Sequence, residues 1–267
     1  MSRLKRKKPL PIVLSISGSD PSGGAGIEAD LKTFHRHGVH GVAIPTLLTA
    51  QNTVGVRKVR FLDPDFVEEQ WRVIFADFRP KAIKLGALGS RSMVLRIAKL
   101  LERKEAAGIP VVLDPVMGST SGAVLLESSA LSILKNRVFP RCHVITPNAG
   151  EFSVLSGKKI DMQNAEAVLR TFGKDKPYAI LLKGGHLAGT ESVDMLCQHG
   201  KLSRFGGKRL PVHAHGTGCV LASSIAANLA LGRSLPAACR QAKVFVHRAL
   251  TSSFKLGEGR NVLNLWA

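Results

Sequence analysis

Short apolar stretches alternate with longer segments in which apolar residues recur every three or four positions, and this continues along nearly the whole chain. Residues 10–17 are almost continuously apolar, the mark of a strand buried on both faces. Residues 24–37 then read as a helix, 42–48 as a strand, and 64–78 as a helix with Val67, Trp71, Ile74, Phe75 and Phe78 on one side. A short strand is expected at 82–85. A helix follows at 90–107 with Val94, Ile97, Ala98 and Leu101 aligned, and Gly108-Ile109-Pro110 stops it before a strand at 111–113. Beyond come a strand at 143–145, a helix at 161–172, a strand at 178–182, a hairpin of 193–197 and 201–205 split by Gly200, and closing helices at 218–231 and 236–254. Repeated strand–helix units need right-handed crossovers, so the pattern predicts a single α/β domain with three layers, α/β/α, around a mostly parallel sheet. In such sheets ligands bind at the carboxyl ends of the strands, so residues with chemistry are sought there.

Composition narrows this picture. A chain of 267 residues suits one α/β domain, and 45% apolar residues supply its core. No run reaches the roughly 18 apolar residues of a membrane helix, and the charged start followed by a short apolar run is not a signal peptide. A soluble, cytoplasmic protein with no membrane partner is expected. Cys142, Cys197, Cys219 and Cys239 form no CxxC pair, so neither a zinc site nor a disulfide framework is indicated. The net charge of +19 is high, and Arg3, Lys5, Arg6, Lys7 and Lys8 lie in a basic tail over 1–9, expected to be disordered ahead of a folded domain over 10–267. Nucleic-acid binding is the sharper reading of that charge. The remaining cations are dispersed, and one Tyr and two Trp offer little for base stacking, which argues against it. His35, His37 and His40 are read as surface residues; the first two sit two apart on a helix and share no face.

Five segments just after expected strands carry candidate chemistry. The first, from Ser17 to Gly26, is a glycine-rich turn entering a helix that bears Asp30; it lacks the Lys-Ser/Thr of a P-loop, and a plain tight turn remains its alternative. In the second, His215-Gly216-Thr217-Gly218-Cys219 opens a helix of small residues, so consecutive amides and the helix dipole favour an anion there. A helix N-terminus lowers a thiol pKa, so Cys219 can serve as the base that takes a substrate hydroxyl proton; a packing cysteine is the alternative. In the third, Thr146-Pro147-Asn148-Ala149-Gly150-Glu151 can hold magnesium through water or simply start a helix. The fourth, Leu182-Lys183-Gly184-Gly185-His186, places a cation where a nucleotide phosphate can dock. In the fifth, Asp114-Pro115-Val116-Met117, Asp114 is a carboxylate in an apolar setting with no evident cap, which suggests metal or phosphate chemistry.

At these residues the sequence closely resembles the hydroxymethylpyrimidine and phosphomethylpyrimidine kinases of thiamine biosynthesis, members of the ribokinase superfamily. The resemblance runs from about Pro11 to about Gly259, and is most specific over 20–34, over Ala50-Gln51-Asn52-Thr53, and in the Asp114, Thr146, Lys183 and His215 segments. It implies a ribokinase-like fold, ATP as co-substrate, Mg²⁺, a small pyrimidine substrate and a homodimer. Gly18, Asp30, Gln51 and Val116 match residues that hold the pyrimidine, with Asp30 and Gln51 pairing to a ring nitrogen and the exocyclic amine. Asp114 and Glu151 match the magnesium region, and Asp114, Asn148, Lys183 and Thr217 the ATP site. Gly216, Thr217 and Gly218 match the anion hole, and Cys219 the catalytic base.

Two departures from the family pattern stand out. Thr120-Ser121-Gly122 replaces a usual Lys-Ser-Gly, and Ala87 follows Gly86 where Met is frequent, which enlarges the pocket. The expected activity is ATP-dependent phosphorylation of hydroxymethylpyrimidine, its monophosphate, or both. A pyridoxal kinase with the same cysteine site is the nearest alternative, and a nucleic-acid-binding or regulatory protein on an inactive kinase scaffold is one of another class.

Overall fold

The computed structural model describes residues 9–119, 122–187 and 189–266. Nearly all of the expected basic tail, and Thr120 and Ser121, lie outside the described residues.

The elements follow in the order β1 (Ile12–Ser19), α1 (Gly26–Arg36), β2 (His40–Gln51), β3 (Val56–Phe61), α2 (Pro64–Asp77), β4 (Ala82–Leu85), α3 (Arg91–Leu101), β5 (Val111–Leu113) and α4 (Leu131–Ile133). Then come β6 (Val144–Ile145), α5 (Ala149–Ser156), α6 (Ala165–Gly173), β7 (Ala179–Leu182), β8 (Asp194–Gln198), β9 (Lys201–Phe205), β10 (Ala214–His215), α7 (Thr217–Ala230), α8 (Leu235–Thr251) and β11 (Asn261–Val262). A nine-stranded sheet runs β3-β2-β1-β4-β5-β6-β7-β8-β9. Strands β2, β1, β4, β5, β6 and β7 are parallel, and β3, β8 and β9 join antiparallel at the edges.

Side chains alternate across this sheet with the strand period of two. Leu14 and Ile16 of β1, Ile83 and Leu85 of β4, and Ile180 and Leu182 of β7 pack toward Trp71, Ile97, Phe139 and Phe152 on one face. Val13, Ala82, Val112, Ala179 and Leu181 face Phe34, Ile225, Ala226 and Ala242 of α1, α7 and α8 on the other. The three-layer expectation is therefore met. Chain order reverses at β1, with β2 on one side and β4 on the other. The cleft at the carboxyl ends of β1 and β4 is the switch point at which such sheets bind ligands.

Several expected boundaries shift. The helix expected over 90–107 is held at its start by the Ser90 side chain, which accepts from the Met93 amide, but it ends at Leu101. Beyond it, Arg103 turns back to pair with Glu68. The helix expected from 161 begins at Ala165, because the Asp161 carboxylate takes the amides of Gln163 and Asn164 in a local turn. Strand β3 is an addition: its Val-Arg-Lys-Val-Arg-Phe run is a charged edge with little apolar pattern to read. His37, expected at the surface, is half-buried, with Nδ1 bonded to the Thr33 carbonyl and Nε2 to Ser224 Oγ, and burial lowers its pKa. His35 and His40 are exposed as expected.

Candidate active site

The ends of β1, β4, β5, β6 and β7 lie along one edge of the parallel sheet. They carry the glycine-rich turn, Gly86-Ala87, Asp114, Asn148 and Lys183 respectively. The α7 turn at 215–219 sits directly against the glycine-rich turn. A Cβ on Gly216, whose φ is +83°, would lie 1.8 Å from the Gly24 carbonyl oxygen, and one on Gly24 would lie 2.9 Å from the His215 ring. Only glycine at 216 gives both the left-handed backbone and the close approach. No side chain caps α7 at Gly216, so its first amides face the cleft without an internal partner from a capping group.

Cys219 lies in the first turn of α7, and the Gly26 amide donates to its sulfur. Burial pushes the thiol up to about 11. The Lys84 ammonium pulls it down, and the carboxylates of Asp114 and Asp30 push it further up. The lowering expected from the helix N-terminus is thus overturned, because removal from water outweighs the dipole. In the ligand-free protein the sulfur carries its proton at neutral pH.

Lys183 Nζ lies 2.6 Å from Asp114 Oδ1 and 3.7 Å from Glu151 Oε2. A Cβ on Gly218 would come within 3.2 Å of both Asp114 Oδ2 and Lys183 Nζ, so the amide turn abuts this charged cluster. Burial works against the Lys183 ammonium, yet Asp114 and Glu151 outweigh it and hold its pKa above the ordinary lysine value. Burial raises the pKa of Glu151; Lys183 opposes this and Asp114 adds to it. Asp114 is therefore not the carboxylate without a partner that its sequence setting suggested. Asn148 and Glu151 form a reciprocal capping box on α5: the Asn148 side chain accepts from the Glu151 amide at 2.9 Å, and Glu151 accepts from the Asn148 amide at 2.7 Å. The helix-start reading of that segment holds, and the cap leaves Glu151 facing Lys183. No group of three or more His, Cys, Asp or Glu that could hold a metal occurs among the described residues. Asp114 and Glu151 converging on one cation nevertheless fit Mg²⁺, which binds through one or two carboxylates, water and substrate phosphates rather than in an all-protein cage.

On the ring side, a Cβ on Gly18 would lie 2.6 Å from Leu47 Cδ1 and 3.6 Å from Ala87 Cβ. Leu47, Ala87 and Leu125 form an apolar cluster against which Val116 and Val59 pack. Val116 also packs beside Gly86, Leu88 and Leu113, around a gap too tight to admit a water molecule. A recess of about 540 Å³ lies at the opposite ends of the strands, among Gly108, Arg141, His143 and Leu235, and holds none of the expected site residues. Gln51 Nε2 is 2.8 Å from His215 Nε2, which is 3.0 Å from Asp20 Oδ2. Asp20 in turn takes the amides of Ser22 and Ala25. Burial raises the Asp20 pKa, but the bonds from His215 and Ser22 prevail and leave it below the ordinary carboxylate value.

Asp30, expected to pair with a pyrimidine, is closed off from the cleft in this structure. It is fully buried, accepting from Ser15 Oγ at 2.6 Å, Lys84 Nζ at 2.7 Å and Ser223 Oγ at 2.5 Å. Both of its oxygens are taken by partners on β1, β4 and α7, one turn beneath Cys219.

The model of the family described as phosphomethylpyrimidine kinase matches residues 20–264. The chain belongs to the phosphomethylpyrimidine kinase family. Within it, the chain is 42% identical to the hydroxymethylpyrimidine/phosphomethylpyrimidine kinase of Streptomyces coelicolor, over 93% of this chain and 92% of the relative. The crystal structure of phosphomethylpyrimidine kinase from Clostridium difficile superposes with a TM-score of 0.77 at 36% identity, covering 90% of this chain and 99% of that one. An ADP complex of Bacillus subtilis pyridoxal kinase superposes with a TM-score of 0.87 at 28% identity, covering 97% of this chain and 98% of that one. In this phosphomethylpyrimidine kinase family member, the sites read from sequence fall into two groups. Gly216, Thr217, Gly218, Cys219, Asp114, Asn148, Glu151 and Lys183 gather around the start of α7, Gly18 and Val116 join the apolar wall of Leu47 and Ala87, and Gln51 meets the α7 turn through His215. Sequence reasoning gave no role to Asp20, His215 or Lys84. Lys84 carried a signal: a lysine inside the apolar run Ala82-Ile83-Lys84-Leu85 must meet a buried anion.

Proposed function

We propose that the protein transfers the γ-phosphoryl group of ATP to the hydroxymethyl group of a pyrimidine, and to the resulting monophosphate, in thiamine biosynthesis. The supporting observation is the meeting of the uncapped α7 amides with the Asp114–Lys183–Glu151 cluster, opposite an apolar wall built on Gly18, Leu47, Ala87 and Val116. The amides of 217–219 receive the migrating phosphoryl group, and Lys183 neutralises its charge. As the substrate oxygen bonds to phosphorus and the bond to ADP breaks, the hydroxyl proton passes to Cys219. Cys219 acts as that base only after losing its own proton, which Lys84 and the Gly26 amide favour. Asp114 and Glu151 would hold Mg²⁺, whose contribution when bound is to offset phosphate charge. Gln51, oriented by His215 and Asp20, offers its amide to the ring, and Asp30 supports the floor. Magnesium and a homodimeric state belong to the same proposal and rest on the family resemblance, and a cytoplasmic location belongs to it on the composition of the chain.

Pyridoxal is the second substrate to weigh, because Ala87 leaves the apolar wall small-sided and a pyridoxal kinase superposes closely. A coupled ATP-consumption assay with hydroxymethylpyrimidine, its monophosphate and pyridoxal tests both readings. We expect turnover on the two pyrimidines, with kcat/KM above that for pyridoxal. Turnover on pyridoxal alone would transfer the assignment to that ring, and no ATP turnover on any of the three would end the kinase reading.

A further inference from the structure

The backbone that follows Lys183 is gathered around one guanidinium. Arg209, in the segment between β9 and β10, donates from Nε to the Gly189 carbonyl at 2.8 Å and from Nη1 to the Gly185 carbonyl at 2.7 Å. Its Nη2 reaches the carbonyls of Gly184 at 3.3 Å, Leu187, and Glu191 at 3.0 Å. Its own amide donates to the Thr190 carbonyl at 3.0 Å. These acceptors lie between Gly184 and Glu191, a stretch with glycines at 184, 185 and 189 that loses much conformational freedom when ordered.

The same loop is fixed from its other side. The Gly184 amide donates to the buried Asp194 carboxylate at 2.8 Å, and Lys243 of α8 holds that carboxylate at 2.9 Å. A Cβ on Gly184 would lie 2.0 Å from the Val193 carbonyl oxygen, so the loop has no slack at the residue next to Lys183.

We infer that Arg209 is a positioning residue for nucleotide binding, which fastens residues 184–187 and 189–191 and so sets where Lys183 presents its ammonium. The inference rests on the reading of Lys183 as the cation that meets the ATP phosphates. Arg209 acts through hydrogen-bond geometry as much as through charge. A lysine keeps the charge but offers three donors on one atom, which cannot span carbonyls spread around a planar fork.

The test compares wild type, Arg209→Lys and Arg209→Ala by calorimetric titration with ATP, by steady-state kinetics, and by hydrogen exchange over 184–191. Losing several of these bonds should weaken ATP binding and raise its KM by about tenfold or more in both variants, with the KM of the pyrimidine within about twofold of wild type. Amides of 184–191 should exchange faster, and millimolar guanidinium should restore ATP binding in part to Arg209→Ala. If Arg209→Ala does not fold, Arg209→Lys carries the comparison. A lowered Tm with unchanged ATP binding would reduce Arg209 to a structural tie and overturn the inference. Wild type that binds no ATP would instead sink the kinase reading, and this inference with it.

Discussion

At Cys219, two opposing influences on one thiol can be compared directly. The dipole of a helix start favours a thiolate by a modest amount, while burial disfavours it. Burial prevails here and holds the thiol at about 11. Iodoacetamide labelling of Cys219 in the ligand-free protein should therefore speed up about tenfold per pH unit from pH 7 toward pH 10. A plateau reached below pH 8.5 would show a preformed thiolate and contradict the burial argument. Cys219→Ala should lower kcat by about 10²- to 10⁴-fold, the range for a lost general base, while ATP affinity changes little. An unchanged kcat would remove Cys219 from the chemistry. The residue types of the cleft were legible because glycines, amide-presenting turns and strand-end charges follow local rules. The state of each group was not, since it depends on neighbours far away in sequence. Asp30 shows this: its position one turn into α1 suggests exposure, and only Ser15, Lys84 and Ser223 around it account for its burial.

Among the elements, α2 and α3 show how helices on the outer face of the sheet are tied together. Glu68 of α2 binds Arg72 one turn on, Arg96 of α3, and Arg103 just beyond α3, while Arg96 also reaches Asp65. Arg103 and Arg96 hold the Glu68 carboxyl down at about 2, against the opposing effect of burial, from an ordinary value of 4.5. A depressed carboxylate pKa stabilises the fold above about pH 4.5, and that contribution is lost as the pH falls through 2. Glu68→Gln should thus melt below wild type at pH 7, and the gap should close between pH 4.5 and pH 2. A gap that stays constant with pH would assign the effect to packing rather than charge. Periodicity located both helices because their apolar stripes are regular. It missed the chain over 131–138, where the three-residue α4 passes into a π-helical turn: Leu134 and Val138 keep a helical spacing, but the α-helical part is too short to show a repeating stripe. It missed β3 for the opposite reason, since a solvated edge needs no apolar pattern.

Taken whole, the molecule is assembled around a buried charge pair that no single segment reveals. Lys84 projects from β4 onto the face covered by α1 and α7 and meets Asp30 at 2.7 Å, with both side chains at 0% exposure. Burial disfavours the ammonium, but the Asp30 carboxylate outweighs this and keeps the Lys84 pKa raised. Ser15 of β1 and Ser223 of α7 complete the carboxylate's partners, so four elements from the first, second and last parts of the chain converge on one ion pair. The same convergence brings the glycine-rich turn against the α7 turn across nearly 200 residues of sequence. Alternation of strands and helices made the sheet legible in advance, yet the sheet leaves open which polar groups face inward at its centre. If the pair is one unit, Lys84→Met leaves an uncompensated buried carboxylate and Asp30→Asn an uncompensated ammonium, and each should cost about 3–5 kcal/mol in chemical denaturation. The double variant removes both charges and should be destabilised by less than the sum of the two, with a coupling of about 1–3 kcal/mol. Additive losses would mean that the two charges are solvated independently in the folded protein, and would separate the stability of the central sheet from the site built above it.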